Sequence, residues 1–349
     1  MKINDLDLYL VAFGQADSST DHHSLLVRIT TTMGIEGWGE SGLHWRTNEL
    51  SERRDALLAV LEGRSIYDIA ELHTLESLGP ASLRCAVEMA VWDALGRTLR
   101  QPLCNLLGGY YRRRVPVSVR LSGHQPGMAA QISRELAEQG FHTQTIAATG
   151  NFEEDLQTVA AIREIGGNRI ELRFDGQNRY ELDTARDLTA DMELYDLQFF
   201  ADPLQSNEWH SLSSLGRQTS IPLATWRSIH SPADALLAVR SNVTPFLIVD
   251  LEQVGGILPA KACAAVAAAG GVIPVLGGRP SVGIATAAML HLAAATAAFS
   301  TANELASRQL LDTVLTDSLD IIDGMIDVPQ SFGLGVTVDR GKVEKFQQA

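Results

Sequence analysis

His142-Thr-Gln-Thr-Ile-Ala-Ala148, Arg169-Ile-Glu-Leu-Arg-Phe-Asp175, Leu197-Gln-Phe-Phe-Ala-Asp-Pro203, Ile221-Pro-Leu-Ala-Thr-Trp-Arg227 and Phe246-Leu-Ile-Val-Asp250 are short apolar runs in the stretch from Gly140 to Gly256. Helix-like segments near 152–165, 182–192, 208–218 and 232–240 separate them. Such alternation reads as successive βα units around a parallel barrel, with active groups at the C-terminal strand ends. Outward from this stretch, Val115-Pro-Val-Ser-Val-Arg-Leu121 supplies a first strand, and a helix over 127–139 leads to the second. After a helix over 259–269, Val272–Leu276 reads as the seventh strand, and the eighth falls near Ala298–Ala302.

The fold class is therefore α/β, a (β/α)8-type barrel over residues 113–320, preceded by a smaller α+β domain over 1–112. In that first domain Ser24–Thr31 alternates as a strand, and Met33–Glu40 continues the pairing after a Gly turn. Gln15–His23 reads as a polar loop, and Ala81–Gly96 as a helix with apolar residues at spacings of three and four. Short strands in Asp323–Pro329 and Gly333–Val338 would be odd additions to a finished barrel. Residues 321–349 are therefore placed back against the first domain. The length of 349 residues and the 45% hydrophobic content suffice for both units.

A formal net charge of −14 argues against nucleic acid and against an anionic membrane surface. The N-terminus has no apolar signal core, and the Ala-rich run Ile284–Phe299 is interrupted by His291 and threonines. Cys85, Cys104 and Cys263 are odd in number and widely spaced. They read as buried thiols of a reducing, cytoplasmic protein rather than as a disulfide or zinc set. Gly108-Gly109 and Gly277-Gly278 lack the spacing of a phosphate or dinucleotide loop and read as turns.

Ala86-Val-Glu-Met-Ala-Val-Trp-Asp-Ala-Leu-Gly96, Pro102-Leu-Cys-Asn-Leu-Leu-Gly-Gly109, Phe174-Asp-Gly-Gln177, Asp202-Pro-Leu204, Val254-Gly-Gly-Ile257 and Gly333-Leu-Gly-Val336 follow one another in an order and spacing that resembles the enolase superfamily. The resemblance is to its mandelate racemase and muconate-lactonising branch and covers nearly the whole chain. It implies that the first domain caps a modified barrel. It also implies that loops at Gly14–His23 and near His44–Arg46 close the substrate site. In that branch one Mg²⁺, held by carboxylates at the ends of strands three, four and five, stabilises the enediolate formed when a base takes the proton α to a carboxylate. Lysines, or a His–Asp pair on one side, move the protons.

Carried over residue by residue, most of that machinery is replaced. Asp175 stands at the strand-three ligand position, but Ala201 occupies the strand-four position and Trp226-Arg227 the strand-five pair. Thr145 and Ala147 stand where the resemblance places Lys-x-Lys. Asp250 stands at a base position five residues before Gly255, and the histidine that would partner it at the end of strand seven is absent from Gly277-Gly-Arg-Pro280. Side chains alternate along a strand, so Thr145 shares a face with Ala147, and Arg173 with Asp175. Asp202 would point away from the face of Ala201 unless the strand end rotates. One remaining carboxylate cannot supply the oxygen ligands Mg²⁺ needs, and Arg227 adds a cation there. No metal and no other cofactor is expected.

The resulting mouth, with Thr145, Ala147, Asp175, Ala201, Trp226, Asp250 and Gly277, reads as wider and more apolar than the family site. Asp250 is the candidate base, with a structural role of equal weight. Asp175 reads as a salt-bridge partner of Arg173 or Arg227. Trp226 either fills the space left by the metal or offers a ligand a cation–π platform. Arg227, Arg279, Thr145 and His23 complete the substrate-binding candidates. His22, His124 and Glu304 are weaker ones, His142 starts a strand far from its catalytic end, and His291 reads as a satisfied core residue.

These residues leave three readings open: a metal-independent isomerase or lyase acting on a small organic acid through Asp250; a non-catalytic ligand-binding protein or partner subunit; or a racemase, epimerase, cycloisomerase or dehydratase with a site rebuilt from Asp175, Asp202 and Asp250. A small-molecule partner and a homo-oligomer are expected.

Overall fold

β1 (Ile3–Gln15), β2 (Ser18–Thr31) and β3 (Glu36–Ser41) form an antiparallel sheet in a computed structural model of the chain. The structure describes residues 1–349 except 16–17, 122–123, 206–208, 305–311 and 349, and except the side chains of 15 and 18–21. The stretch read as a polar loop, Gln15–His23, is instead strand on both sides of residues 16–17, which lie outside the described residues. Its register is set by β1, where Phe13 faces His22 and Ala12 faces His23. Polar side chains are tolerated in a strand whose partner supplies the buried face.

The helix Ala81–Leu99 lies directly on β3. A Cβ on Gly39 would fall 1.8 Å from the Ala86 carbonyl oxygen, and one on Gly37 2.1 Å from that of Ala90, so only glycine allows this approach. The same helix carries two buried carboxylates that bind other parts of the chain. Asp93 accepts from the backbone N–H groups of Trp38 (3.1 Å) and Leu334 (2.8 Å). Glu88 accepts from those of Ile257 and Leu258 at the start of the barrel helix Ile257–Ala269, where the orphan donors and the helix dipole favour an acid.

The barrel strands are β4 (Arg114–Leu121), β5 (Thr143–Ala147), β6 (Glu171–Asp175), β7 (Leu197–Ala201), β8 (Leu223–Thr225), β9 (Phe246–Asp250), β10 (Ile273–Gly277) and β11 (Asn303–Glu304). Neighbours from β4 to β10 pair in parallel, and β11 pairs in parallel with β4. At the last seam the Asn303 side chain accepts from the Leu276 N–H at 2.9 Å, in place of a backbone ladder. The eighth strand thus falls after Ala298–Ala302. Thr296 to Ala302 turns, and among the described residues of this segment Asn303 and Glu304 reach the β4 edge. The helix expected over 208–218 is seen as Trp209–Gly216, and Glu208 lies outside the described residues.

The C-terminal segment divides, where the sequence reading placed all of it on the first domain. β12 (Ile321–Ile322) and β13 (Met325–Asp327) form a hairpin, and β13 pairs antiparallel with Arg114–Pro116 of β4, just before the residues that meet β11, Met325 facing Pro116. Gly333 makes an isolated parallel bridge with Pro102, and Gly333–Val336 packs on the helix of the first domain through Asp93 and Arg97. The final helix, Arg340–Phe346, returns to β1, with the Phe346 and Phe13 rings 4.2 Å apart.

His291 is fully buried. Its Nδ1 accepts from the Cys104 N–H at 3.1 Å, and its Nε2 lies 3.0 Å from the Leu334 carbonyl oxygen. Burial holds its pKa at about 4, below the ordinary 6.5. The unfolded chain therefore takes up this proton first as pH falls. The contribution is intact above pH 6.5 and is lost between 6.5 and about 4, on the order of 3 kcal/mol when complete. Urea midpoints measured across this window should fall for the native chain and fall less steeply for His291→Gln.

Candidate functional site

Strand alternation decides what enters the barrel. Phe199, Ala201, Ala224, Trp226, Phe246, Ile248 and Val275 form an interior cluster of their own, separate from the main core. By the same parity Ser118 and Arg120 on β4, Thr145 and Ala147 on β5, and Arg173 and Asp175 on β6 face inward. The cross-strand pairs Arg120–Thr145 and Ala147–Asp175 confirm the level of each.

Asp175, 1% exposed, is the centre of the mouth. Its Oδ1 accepts from Arg227 Nη1 (2.8 Å) and the Gln177 N–H (3.0 Å). Its Oδ2 accepts from Arg227 Nη2 (2.9 Å) and from Arg120 Nη2. Both oxygens are thereby saturated by donors. Arg227 is a bidentate, charge-assisted partner, the geometry that guanidinium favours. Burial alone would raise the Asp175 pKa, but Arg120 and Arg227 outweigh it and hold the carboxyl below its usual range. Arg120 also donates to Glu304 at 2.9 Å, and the Glu304 and Asp175 carboxylates overcome burial to hold its pKa above the ordinary value.

Asp202 joins this network, contrary to its expected outward direction. Its φ of 40° rotates the strand end, the condition under which it could reach inward. Its Oδ1 accepts from the Trp226 N–H (2.9 Å), and its Oδ2 from the Arg227 N–H (2.9 Å) and Arg227 Nη1 (2.9 Å). Arg227 Nη1 is thus shared by two buried carboxylates. Arg173 does not pair with Asp175. It points deeper into the barrel and donates to Gln198, Ser118 and the Ala302 carbonyl.

Trp226, 9% exposed, lies under the two cations, with the Arg227 guanidinium 4.8 Å and that of Arg120 5.9 Å from its ring. Its cation–π partners are residues of this chain. With Arg120, Asp202 and Glu304 present, the mouth is more charged and more filled than the apolar opening read from the sequence. Thr145 is 2% exposed and sits one level below the mouth rather than at a ligand-facing surface.

Asp250 ends β9 and caps the short helix Leu251–Val254, its Oδ1 accepting from the N–H groups of Glu252 (2.9 Å) and Gln253 (3.4 Å). Burial raises its pKa above the usual carboxylate range. Glu252 is pushed up to about 8 by burial and by the Asp250 charge. Both Glu252 oxygens accept from the Gly42 N–H (3.0 and 2.9 Å), while Arg279 Nη1 donates to the Gly42 carbonyl at 2.6 Å. Arg279 therefore clamps a loop of the first domain instead of standing free for a substrate carboxylate. A Cβ on Gly42 would lie 1.5 Å from Arg279 Nη1.

The His23 ring lies 4.7 Å from that of His44, and its Nδ1 lies 3.1 Å from Gln348 Nε2, so it belongs to the cap margin. His22 Nε2 lies 3.2 Å from Ser24 Oγ, and burial lowers its pKa to about 4. His124 lines a small recess with Ala147, Thr149 and Asp155 beside the mouth, and His142 is exposed at the far end of the barrel. Arg120 is the important residue that the sequence reading passed over. Its signal was present: a charged residue on the inward parity of the first strand, near that strand's C-terminal end.

Among the described residues no cluster of three or more His, Cys, Asp or Glu side chains is arranged to hold a metal ion, and no helix is long and apolar enough to cross a membrane. The ring of parallel strands, its α+β cap and the charged groups at the strand ends define a capped (β/α)8-barrel protein. The chain belongs to the mandelate racemase/muconate lactonizing enzyme branch of the enolase superfamily. Residues 13–108 match the model of the mandelate racemase/muconate lactonizing enzyme N-terminal domain, and 127–342 that of the enolase C-terminal domain-like family. It is 24% identical to the N-succinyl-L-Arg/Lys racemase of Bacillus cereus, over 84% of each chain. It is 26% identical to the chloromuconate cycloisomerase of Pseudomonas putida, over 90% of this chain and 89% of that one. The crystal structure of an isomerase from Streptomyces coelicolor A3(2) superposes with a TM-score of 0.89 at 26% identity, covering 99% of this chain and 98% of the other.

Proposed function

We propose that this chain is a family member whose mouth works without Mg²⁺, as an isomerase or lyase acting on a small organic acid with Asp250 as the base. The observation that carries this reading is the Arg227 guanidinium shared between Asp175 and Asp202 at 2.8 and 2.9 Å. The residues do not fit the metal. Magnesium requires near-octahedral oxygen coordination, yet the Asp175 oxygens are saturated by donors, and Ala201 and Trp226 offer no side-chain oxygen. Two cations, Arg120 and Arg227, already pair with the three carboxylates Asp175, Asp202 and Glu304.

In this reading the cationic groups of the mouth are guanidiniums of the chain itself. The Arg227 side chain keeps 31% of its surface open and attracts a substrate carboxylate. Asp250, made more basic by burial, takes a proton from the bound acid. Glu252, still protonated at neutral pH, supports the cap loop at Gly42 over that step. Fixed guanidinium groups stabilise a developing anion less locally than a divalent ion. The substrate proton is therefore one already acidified by a second carbonyl or by a leaving group.

The test is proton exchange in D2O, followed by NMR, with a panel of small 2-substituted and 3-oxo carboxylic acids in the presence of EDTA. Exchange should occur with at least one acid and fall by roughly 100-fold or more in Asp250→Asn. Asn is itself a good helix N-cap, so the fold is kept. The capping bonds of Asp250 favour a second reading, in which the mouth binds a ligand without chemistry. No exchange anywhere, with ligand binding unchanged in Asp250→Asn, would support it and sink the first.

A further inference from the structure

Below the mouth lies a second polar site that the proposed reaction does not use. Arg173 is 1% exposed and is among the largest fully buried side chains of the protein. Its Nε donates to Gln198 Oε1 at 2.5 Å, and its Nη1 to the Ala302 carbonyl at 2.8 Å and to Ser118 Oγ at 3.4 Å. The Phe199 ring covers one face of the guanidinium at 4.9 Å. Every one of these partners is neutral. Among the described residues no carboxylate lies within ion-pair distance of Arg173, whereas Arg120 and Arg227 each contact two.

Two donors are left over at the same level. Arg173 Nη2 is buried without a hydrogen-bond partner, and so is Thr145 Oγ1, in a side chain 2% exposed. Thr145 on β5 is the cross-strand partner of Arg173 on β6. In reaching Ser118 on β4, the Arg173 side chain passes in front of β5, the strand between. The two groups do not bond each other, although a hydroxyl can accept from a guanidinium. Buried donors are rarely left unpaired, and a buried charge surrounded by neutral groups is costly. A small acceptor between them satisfies both, and a negative one also offsets the charge. Burial pushes the Arg173 pKa down to about 10, countered only in part by Glu171, which Gln198 separates from the guanidinium, and by Glu304.

We propose that the barrel interior binds a small monovalent anion of chloride size, held by Arg173 Nη2 and Thr145 Oγ1. The site is structural: it lies beneath the ion-pair layer of Asp175 and stabilises the floor on which that layer rests. It is independent of whether the mouth carries out a reaction.

The experiment uses the full chain. Thermal midpoints are measured at fixed ionic strength while chloride replaces gluconate, and crystals grown in bromide are examined for anomalous scattering. The midpoint should rise with the logarithm of chloride concentration, as for a ligand of the native state only. Bromide should give an anomalous peak within hydrogen-bond distance of both groups. Thr145→Val, close in shape to the native residue, should fold, lose most of the peak and flatten the chloride response. Equal midpoints in chloride and gluconate, with no bromide peak, would overturn the proposal and leave a water molecule as the bridge. A bromide peak without any chloride response would overturn it too, as an adventitious ion only.

Discussion

Asp175→Ala should lower the unfolding free energy by about 3–5 kcal/mol, the cost of removing one partner from a buried ion-pair network. The carboxylate accepts from both guanidinium groups of the mouth and from the Gln177 N–H. Its loss leaves Arg120 with Glu304 alone and Arg227 with Asp202 alone, both packed over Trp226. Urea unfolding at pH 7 measures this as a fall in the midpoint at unchanged slope. Arg227→Met should cost less, because Asp175 keeps Arg120 and Asp202 keeps two backbone donors. The double variant should cost less than the sum, since the two residues share one interaction. A fall of less than about 1 kcal/mol for Asp175→Ala, the range of an exposed pair, would mean that this network is not the one in solution.

Glu40→Ala should destabilise by about 3 kcal/mol or more and loosen the cap over the mouth. Glu40 is 1% exposed and sits at the end of β3. It accepts from Ser24 Oγ (3.1 Å) in its own domain, and from Ser281 Oγ (2.8 Å) and the N–H groups of Val282 (2.7 Å) and Ala285 (2.9 Å) in the barrel. Alanine leaves these donors buried without a partner, each costing about 1–3 kcal/mol when water cannot reach it. The neighbouring Gly42 peptide is held by Glu252 and Arg279, so the strain should pass to the 42–46 loop. Limited proteolysis should therefore cut Glu40→Ala near Leu43–Arg46 faster than the native chain, in urea concentrations where both remain folded. An unchanged cleavage rate alongside a large loss of stability would separate the latch from the loop.

Periodicity carried most of the architecture. The runs Arg169–Asp175, Leu197–Pro203 and Phe246–Asp250 gave strands, the second ending at Ala201, because inward and outward residues alternate cleanly there and helices fill the gaps. The same parity placed Ala201 and Trp226 inside the barrel and left Asp175 as a salt-bridge partner. Less was legible where backbone geometry or closure decides. Asp202 turned inward because its φ is positive, a property that Asp-Pro-Leu does not display as a pattern. Arg120 met Asp175 across the intervening β5, a contact 55 residues apart in sequence that depends on the curvature of the sheet over three strands. The eighth strand is two residues long and has almost no apolar signal, so it was placed a few residues early. Arg279 looked like a ligand for a substrate anion, because nothing in the sequence shows that Gly42 from the other domain would reach it.

In the proposed function, guanidinium groups of this chain take the role of the metal. Isothermal calorimetry with Mg²⁺ on the purified protein, checked by divalent-metal content, tests it most directly. No stoichiometric binding up to millimolar Mg²⁺ and no copurifying divalent ion are expected. Tight one-to-one binding, abolished by Asp175→Asn, would contradict it, because the Asp175 oxygens would then have exchanged Arg120 and Arg227 for a metal ion.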